Sequence, residues 1–148
     1  RRARRDDLPA IVALLADDAL GAVRESATDT LPAEYARAFD RIAADAAQEL
    51  IVAEHGGEVI GVLQLTVIAS LTWRGTARAL LEGVRVRSDA RGCGIGEQLV
   101  REAIARARAR GCGIVQLTTD RSRADAHRFY ERLGFRATHV GMKLHLNG

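Results

Sequence analysis

Arg91-Gly92-Cys93-Gly94-Ile95-Gly96 is the stretch on which the fold turns, and an amphipathic run follows it directly. Three glycines in six residues stand where a strand gives way to a helix. Glycine lets the backbone take positive φ and leaves room for a ligand to approach the amides. The first N–H groups of a helix are unsatisfied and lie at the positive end of its dipole, which favours an anion. Arg91 adds a full charge. No Gly-Lys-Ser/Thr follows, so this is not a Walker loop, and the spacing G-x-G-x-G is not the dinucleotide G-x-G-x-x-G. The pattern predicts a phosphate-binding turn. The plainer alternative is a glycine turn with no ligand.

Downstream, residues 94–110 predict the strongest helix of the chain, with Ile95, Leu99, Val100, Ala103, Ile104 and Ala107 on one stripe. Glu97–Arg101 and Glu102–Arg106 are i,i+4 pairs in the favourable order, and Gly111 supplies the stop. Residues 113–119 predict a buried strand and 125–133 a short helix ending at Gly134. Residues 135–146 predict one or two final strands. Upstream, 77–87 predict a long strand with Gly83 in its middle, where a bulge or a close backbone approach is expected. Residues 48–54 and 59–69 predict an antiparallel hairpin closed by His55-Gly56-Gly57-Glu58. Before it, Asp6-Asp7-Leu8-Pro9 and Asp29-Thr30-Leu31-Pro32 each open a helical pattern. The loop at 70–75 carries Trp73. The order α-α-β-β-β-α-β-α-β, with a short strand allowed at the very start, describes a mixed α/β layer fold.

The chain has 148 residues, 47% hydrophobic and 28% charged, which suits one soluble domain over 1–148. Its net charge of +3 hides an asymmetry. Residues 1–60 carry 7 basic and 12 acidic side chains, and residues 61–148 carry 15 and 7. A basic second half alone is weak support for nucleic-acid binding. No run of 18 apolar residues exists, and the basic N-terminus leads into acid rather than an apolar core, so neither a membrane span nor a signal peptide is expected. Cys93 and Cys112 form no CxxC, and His55, His127, His139 and His145 show no ligand spacing, so no metal is expected. Free thiols suit a reducing cytoplasm.

Two motifs carry a resemblance. Val84-Arg85-Val86-Arg87 followed by Arg91-Gly92-Cys93-Gly94-Ile95-Gly96 resembles the acetyl-CoA signature of the GNAT superfamily of N-acetyltransferases. Ala126-His127-Arg128-Phe129-Tyr130-Glu131-Arg132-Leu133-Gly134-Phe135 resembles that family's second signature, A-x-x-x-Y-x-x-x-G-F. The element order matches over nearly the whole chain. The resemblance implies a central, mostly antiparallel mixed sheet of six to seven strands, flanked by about four helices and splayed between the fourth and fifth strands. It further implies acetyl-CoA as cosubstrate. The amides of Gly92, Cys93, Gly94, Ile95 and Gly96, with Arg91, would hold the pyrophosphate. The exposed backbone of Val84, Arg85 and Val86 would pair with the pantetheine arm, and Tyr130 would face the sulfur. Where many relatives carry Asn, seven residues before the tyrosine, this chain has Arg123, which cannot accept a hydrogen bond and is expected to meet a CoA phosphate.

The implied reaction is direct attack of an amine on the thioester, with Tyr130 protonating the leaving thiolate. Glu82 reads as the base that takes the amine's proton, through water, or else as an exposed strand carboxylate or an anchor for the acceptor ammonium. Trp73 and Tyr35 read equally as acceptor-pocket or core residues. His127 reads as a solvated helix histidine, and Cys93 as incidental. Residues 6–60 carry 3 basic and 12 acidic side chains, which favours a cationic small-molecule amine. A protein lysine or N-terminus is the alternative acceptor, and a non-catalytic acyl-CoA-binding regulator the alternative class. No nucleic-acid or membrane partner is expected, and a homodimer is compatible with this reading.

Overall fold

Gly56 and Gly57 adopt φ values of 58° and 81°, the left-handed geometry that a two-residue hairpin requires. They join β1 (Gln48–His55) to β2 (Glu58–Ile68) in the computed structural model, which describes residues 1–147. β3 (Arg78–Val86) runs antiparallel to β2, and β4 (Ile114–Leu117) lies parallel to β3, giving the order β1-β2-β3-β4. Helices cover both faces. On one, Ile51, Leu63, Leu65, Ala79 and Leu81 meet Leu99, Val100, Ala103 and Ala107 of α5 (Ile95–Ala109). On the other, Val52 and Val62 meet Ile11 and Leu14 of α1 (Leu8–Ala16). α6 (Ala124–Arg132) brings Phe129 and Tyr130 against the α5 layer.

Local chemistry explains the helix bounds. Pro9 stands in the first turn of α1, where its missing N–H costs nothing. Asp18 caps α2 (Ala19–Arg24) by accepting the Gly21 N–H at 2.5 Å. α3 (Ala33–Ala44) follows Pro32, and α4 (Thr72–Gly75) is a single turn in which Trp73 and Arg74 take left-handed φ values of 51° and 59°. Arg101–Glu97 and Arg106–Glu102 pair at 2.8 Å along α5, as their spacing predicts. Arg106 and Arg110 also reach over the sheet to Glu49 on β1, at 2.7 and 3.2 Å, and Arg2 approaches it at 3.5 Å. Glu49 is only 5% exposed. Burial works against its ionisation, but the Arg106 hydrogen bond and the three positive charges outweigh that and hold its carboxyl below the ordinary range.

The sheet departs from the expected six to seven strands: among the described residues it has four. At the start, residues 1–3 run beside β1 but make only the isolated bridge Arg2–Ile51. At the end, 136–147 forms no strand and joins no ladder. Val140, Met142, Leu144 and Leu146 alternate as a strand would, yet all four are exposed. Alternation marks a strand only where one face finds an apolar neighbour, and β4 is just four residues long. Helices exceed the expected four because α2 and the turn α4 form between the long ones.

The sheet does open on one side of β3. Its pairing with β4 ends at Leu81–Leu117, so 82–86 has no neighbour on that side. Between the pairs Val62–Arg85 and Gln64–Glu82, β3 has two residues, Gly83 and Val84, against the single Leu63. This is the bulge that Gly83 predicts, with φ of 60° there.

Candidate active site

The bulge decides which side chains look where. Val62 and Gln64 lie two apart on β2 and share a face. Their partners Arg85 and Glu82 therefore share it too, on the α1 side of the sheet. Val84 and Val86 turn to the opposite face, where they and Tyr130 and Phe129 pack against the core under α5. The Arg87 N–H bonds Ile60 O at 2.8 Å, so by alternation the Val86 backbone points into the opening beside β3. Two arginine side chains occupy the carbonyls at this lip: Arg85 Nη1 donates to Val84 O at 2.9 Å and Arg91 Nε to Val86 O at 3.0 Å.

The glycine loop leads from this strand into α5. Gly92 and Gly94 take φ values of 80° and 81°, which a side chain would strain. Gly94 is the N-cap of α5 and offers its first-turn amides no side-chain cap, leaving them directed outward for an anion. Gly96 serves packing: a Cβ there would stand 3.4 Å from the Phe129 ring and 3.6 Å from Val86 Cγ2. The loop, the lip of β3 and α6 thus meet at one place. These donors suit a pyrophosphate and a peptide-like arm. Cys93 is exposed at the loop.

Tyr130 sits half-buried between Phe129 and Phe135, edge-on to both, with centroids 5.0 and 5.7 Å away. Burial pushes its phenol above the ordinary value, and the charges of Arg85 and Arg123 oppose that push. A phenol so placed keeps its proton at neutral pH and can give it to a stronger base.

Around these two arginines lies an arrangement that motif reading missed. Asp18, in the loop between α1 and α2, stands 2.6 Å from Arg123 Nη2 and 3.2 Å from Arg85 Nε. Its neighbour Asp17 meets Arg91 at 3.7 Å. Burial raises the Asp18 carboxyl, but the Gly21 N–H and the charges of Arg85, Arg123 and Arg24 together hold it below the ordinary range. An Asp-Asp pair before Ala19 is a helix-start signal that would have flagged α2. Nothing in the sequence links it to Arg123.

The other candidates fall as follows. Glu82 is exposed, on the same face as Arg85. Tyr35 donates to Glu25 at 2.7 Å and accepts the Ser26 N–H at 3.0 Å, so its hydroxyl secures the loop before α3. Trp73 is exposed on the opposite end of β3. His127 is half-buried, with Nε2 3.3 Å from Asp120 O. Among the described residues no group of three metal-ligating side chains clusters, and no helix is long and apolar enough to cross a membrane.

Comparison with known proteins bears on this geometry. Residues 10–135 match the model of the Acetyltransferase (GNAT) family. An aminoalkylphosphonate N-acetyltransferase of Salmonella typhimurium is 36% identical over 91 residues, covering 60% of this chain and 56% of the relative. The match thus spans little more than half the length of that curated relative. Among solved structures, a transcriptional regulator from Bacillus halodurans C-125 superposes with a TM-score of 0.96 and 53% identity, covering 99% of this chain and 97% of its own. An acetyltransferase from Trypanosoma brucei superposes with a TM-score of 0.80 and 28% identity, covering 99% and 97%.

Proposed function

Because the chain belongs to the Acetyltransferase (GNAT) family, we propose that it transfers the acetyl group of acetyl-CoA to a primary amine, as one domain over 1–148. The observation that carries this reading is the open side of β3 beyond Leu81, bordered by the uncapped start of α5 and by Tyr130. The substrate's pyrophosphate is held by the amides of Gly92 to Gly96, and its pantetheine arm pairs along Val84 to Val86.

The neutral amine attacks the thioester carbonyl carbon, forming the C–N bond while the carbonyl pair moves onto oxygen. A backbone N–H of the 84–86 lip stabilises that oxyanion. The C–S bond then breaks, and the thiolate leaves with the bonding pair and takes the Tyr130 proton. Glu82 first takes one proton from the acceptor's ammonium, through water, and yields it to solvent; it then receives the second, shed once the C–N bond has formed, whose return to Tyr130 closes the cycle. Its exposure and its place on the acceptor-facing side of the bulge support that role.

The acceptor's charge follows from what is already matched. Residues 6–60 are acidic, which favours a cationic amine, but Asp17 is met by Arg91 and Asp18 by Arg85 and Arg123. Glu82, exposed on the face of Arg85, is left to meet an ammonium. The activity named for the Salmonella relative supports an amine that also bears an anionic group. We therefore propose a small amine acceptor with a cationic end at Glu82 and an anion elsewhere. The likeness to a protein described as a transcriptional regulator supports a second reading, acyl-CoA binding without turnover. Thiol release from acetyl-CoA over a panel of small amines, peptidyl lysines and peptide N-termini separates these. Turnover with small amines is expected. Tight acetyl-CoA binding with no turnover on any amine would establish the regulator, and turnover confined to peptides would move the acceptor to protein.

A further inference from the structure

Arg85 is anomalous for a strand residue beside two valines. Only 14% of its side chain is exposed, and its Nε is enclosed without an aligned hydrogen bond. Burying a guanidinium is costly unless it is fully paired, and a smaller residue would serve the sheet equally well. Arg123, from the residue before α6, converges on the same point, so that the single carboxylate of Asp18 answers two guanidiniums. Arg24, from α2, adds a third positive charge to the field at Asp18, and the exposed Asp120 at the rim faces Arg123 and Arg24 while bonding Ser122. Guanidinium forks match the oxygens of phosphonate, phosphate and carboxylate in paired hydrogen bonds. The cluster lies on the face that carries Glu82, with Tyr130 within electrostatic reach of both half-buried arginines.

We propose that Arg85 and Arg123, with Arg24 at the rim, form the subsite for the anionic group of the amine acceptor, and that Asp18 occupies the two forks until that group replaces it. This rests on the acetyltransferase reading above and assigns its specificity to named residues. An anion on these forks leaves the amine end free to reach the lip of β3. Asp18 then keeps its cap on Gly21 and gives up its ion pairs, so the exchange need not unwind α2.

The test compares 2-aminoethylphosphonate with propylamine, which shares the amine but carries no anion, at saturating acetyl-CoA. The wild type is expected to favour the phosphonate at least tenfold in kcat/KM. Arg123→Gln is expected to lose at least ten times more on the phosphonate than on propylamine, through KM rather than kcat, with partial rescue by Arg123→Lys. Asp18→Asn, which retains a good N-cap and removes the competing charge, is expected to lower KM for the phosphonate severalfold. Equal losses on both acceptors would overturn the proposal. So would a rise confined to KM for acetyl-CoA, which would assign Arg123 to a cosubstrate phosphate. If no amine is acetylated, the transfer reading fails by itself. The subsite is then read from the thermal shift given by 2-aminoethylphosphonate: loss of the shift in Arg123→Gln supports it, and the same shift in both proteins overturns it.

Discussion

Tyr130 shows how one residue's surroundings set its chemistry. Two aromatic rings hold the phenol edge-on, and burial keeps it above its ordinary pKa against the pull of two arginines. An acid must still hold its proton when the thiolate forms. The raised value therefore predicts that kcat shows no alkaline fall below about pH 10, the ordinary tyrosine value. The same proton predicts that Tyr130→Phe lowers kcat by roughly 10²-fold or more while changing the Kd of acetyl-CoA little, since the phenylalanine ring keeps the packing. Wild-type turnover in that variant, or an alkaline limb near pH 8, would remove Tyr130 from the reaction. The tyrosine was legible because it stands at fixed spacing from Gly134 and Phe135. Asp18 was not, because its partner Arg123 is 105 residues away and no local pattern carries that distance.

At the scale of elements, β3 does two jobs in nine residues. Up to Leu81 it is an ordinary central strand, paired on both sides. After it, one side is open. Gly83 takes φ of 60° and faces Leu15, with a Cβ there standing 3.5 Å from Leu15 Cδ2. Gly83→Ala is expected to cost about 1–2 kcal/mol from the left-handed backbone, seen in urea denaturation, and to reduce kcat because the lip is re-aimed. An unchanged midpoint would show that the bulge tolerates a side chain. The glycine punctuation made this element readable, as it did the hairpin and the start of α5. The last segment misled for the opposite reason. Its alternation at 140, 142, 144 and 146 is genuine, but a pattern in one segment says nothing about whether a second edge is long enough to receive it.

At the scale of the whole molecule, the charge asymmetry becomes an internal matter. Acids of the first half meet arginines of the second at Asp17–Arg91, Asp18–Arg85, Asp18–Arg123, Glu49–Arg106, Glu49–Arg110 and Glu58–Arg87. Six of the fifteen basic side chains that gave a nucleic-acid reading its small support are spent on these pairs. Exposed pairs contribute little, so the weight falls on buried Glu49. Its folded pKa lies below the unfolded value near 4.3. The ionised form therefore stabilises the fold above that pH, and the contribution is lost as pH falls through the lowered value. Glu49→Gln is expected to cost about 3 kcal/mol at pH 7, as for one partner removed from a buried pair, with the difference from wild type shrinking toward pH 3. Equal losses at both pH values would mean that packing, not charge, is what the variant removes. The open lip of β3 has a further consequence. An uncovered strand edge is a template on which another chain can lay its own strand, and here it lies inside a cleft with arginines seated on two of its carbonyls. Those side chains already occupy acceptors that a second copy's strand would need, so they blunt the edge against self-association.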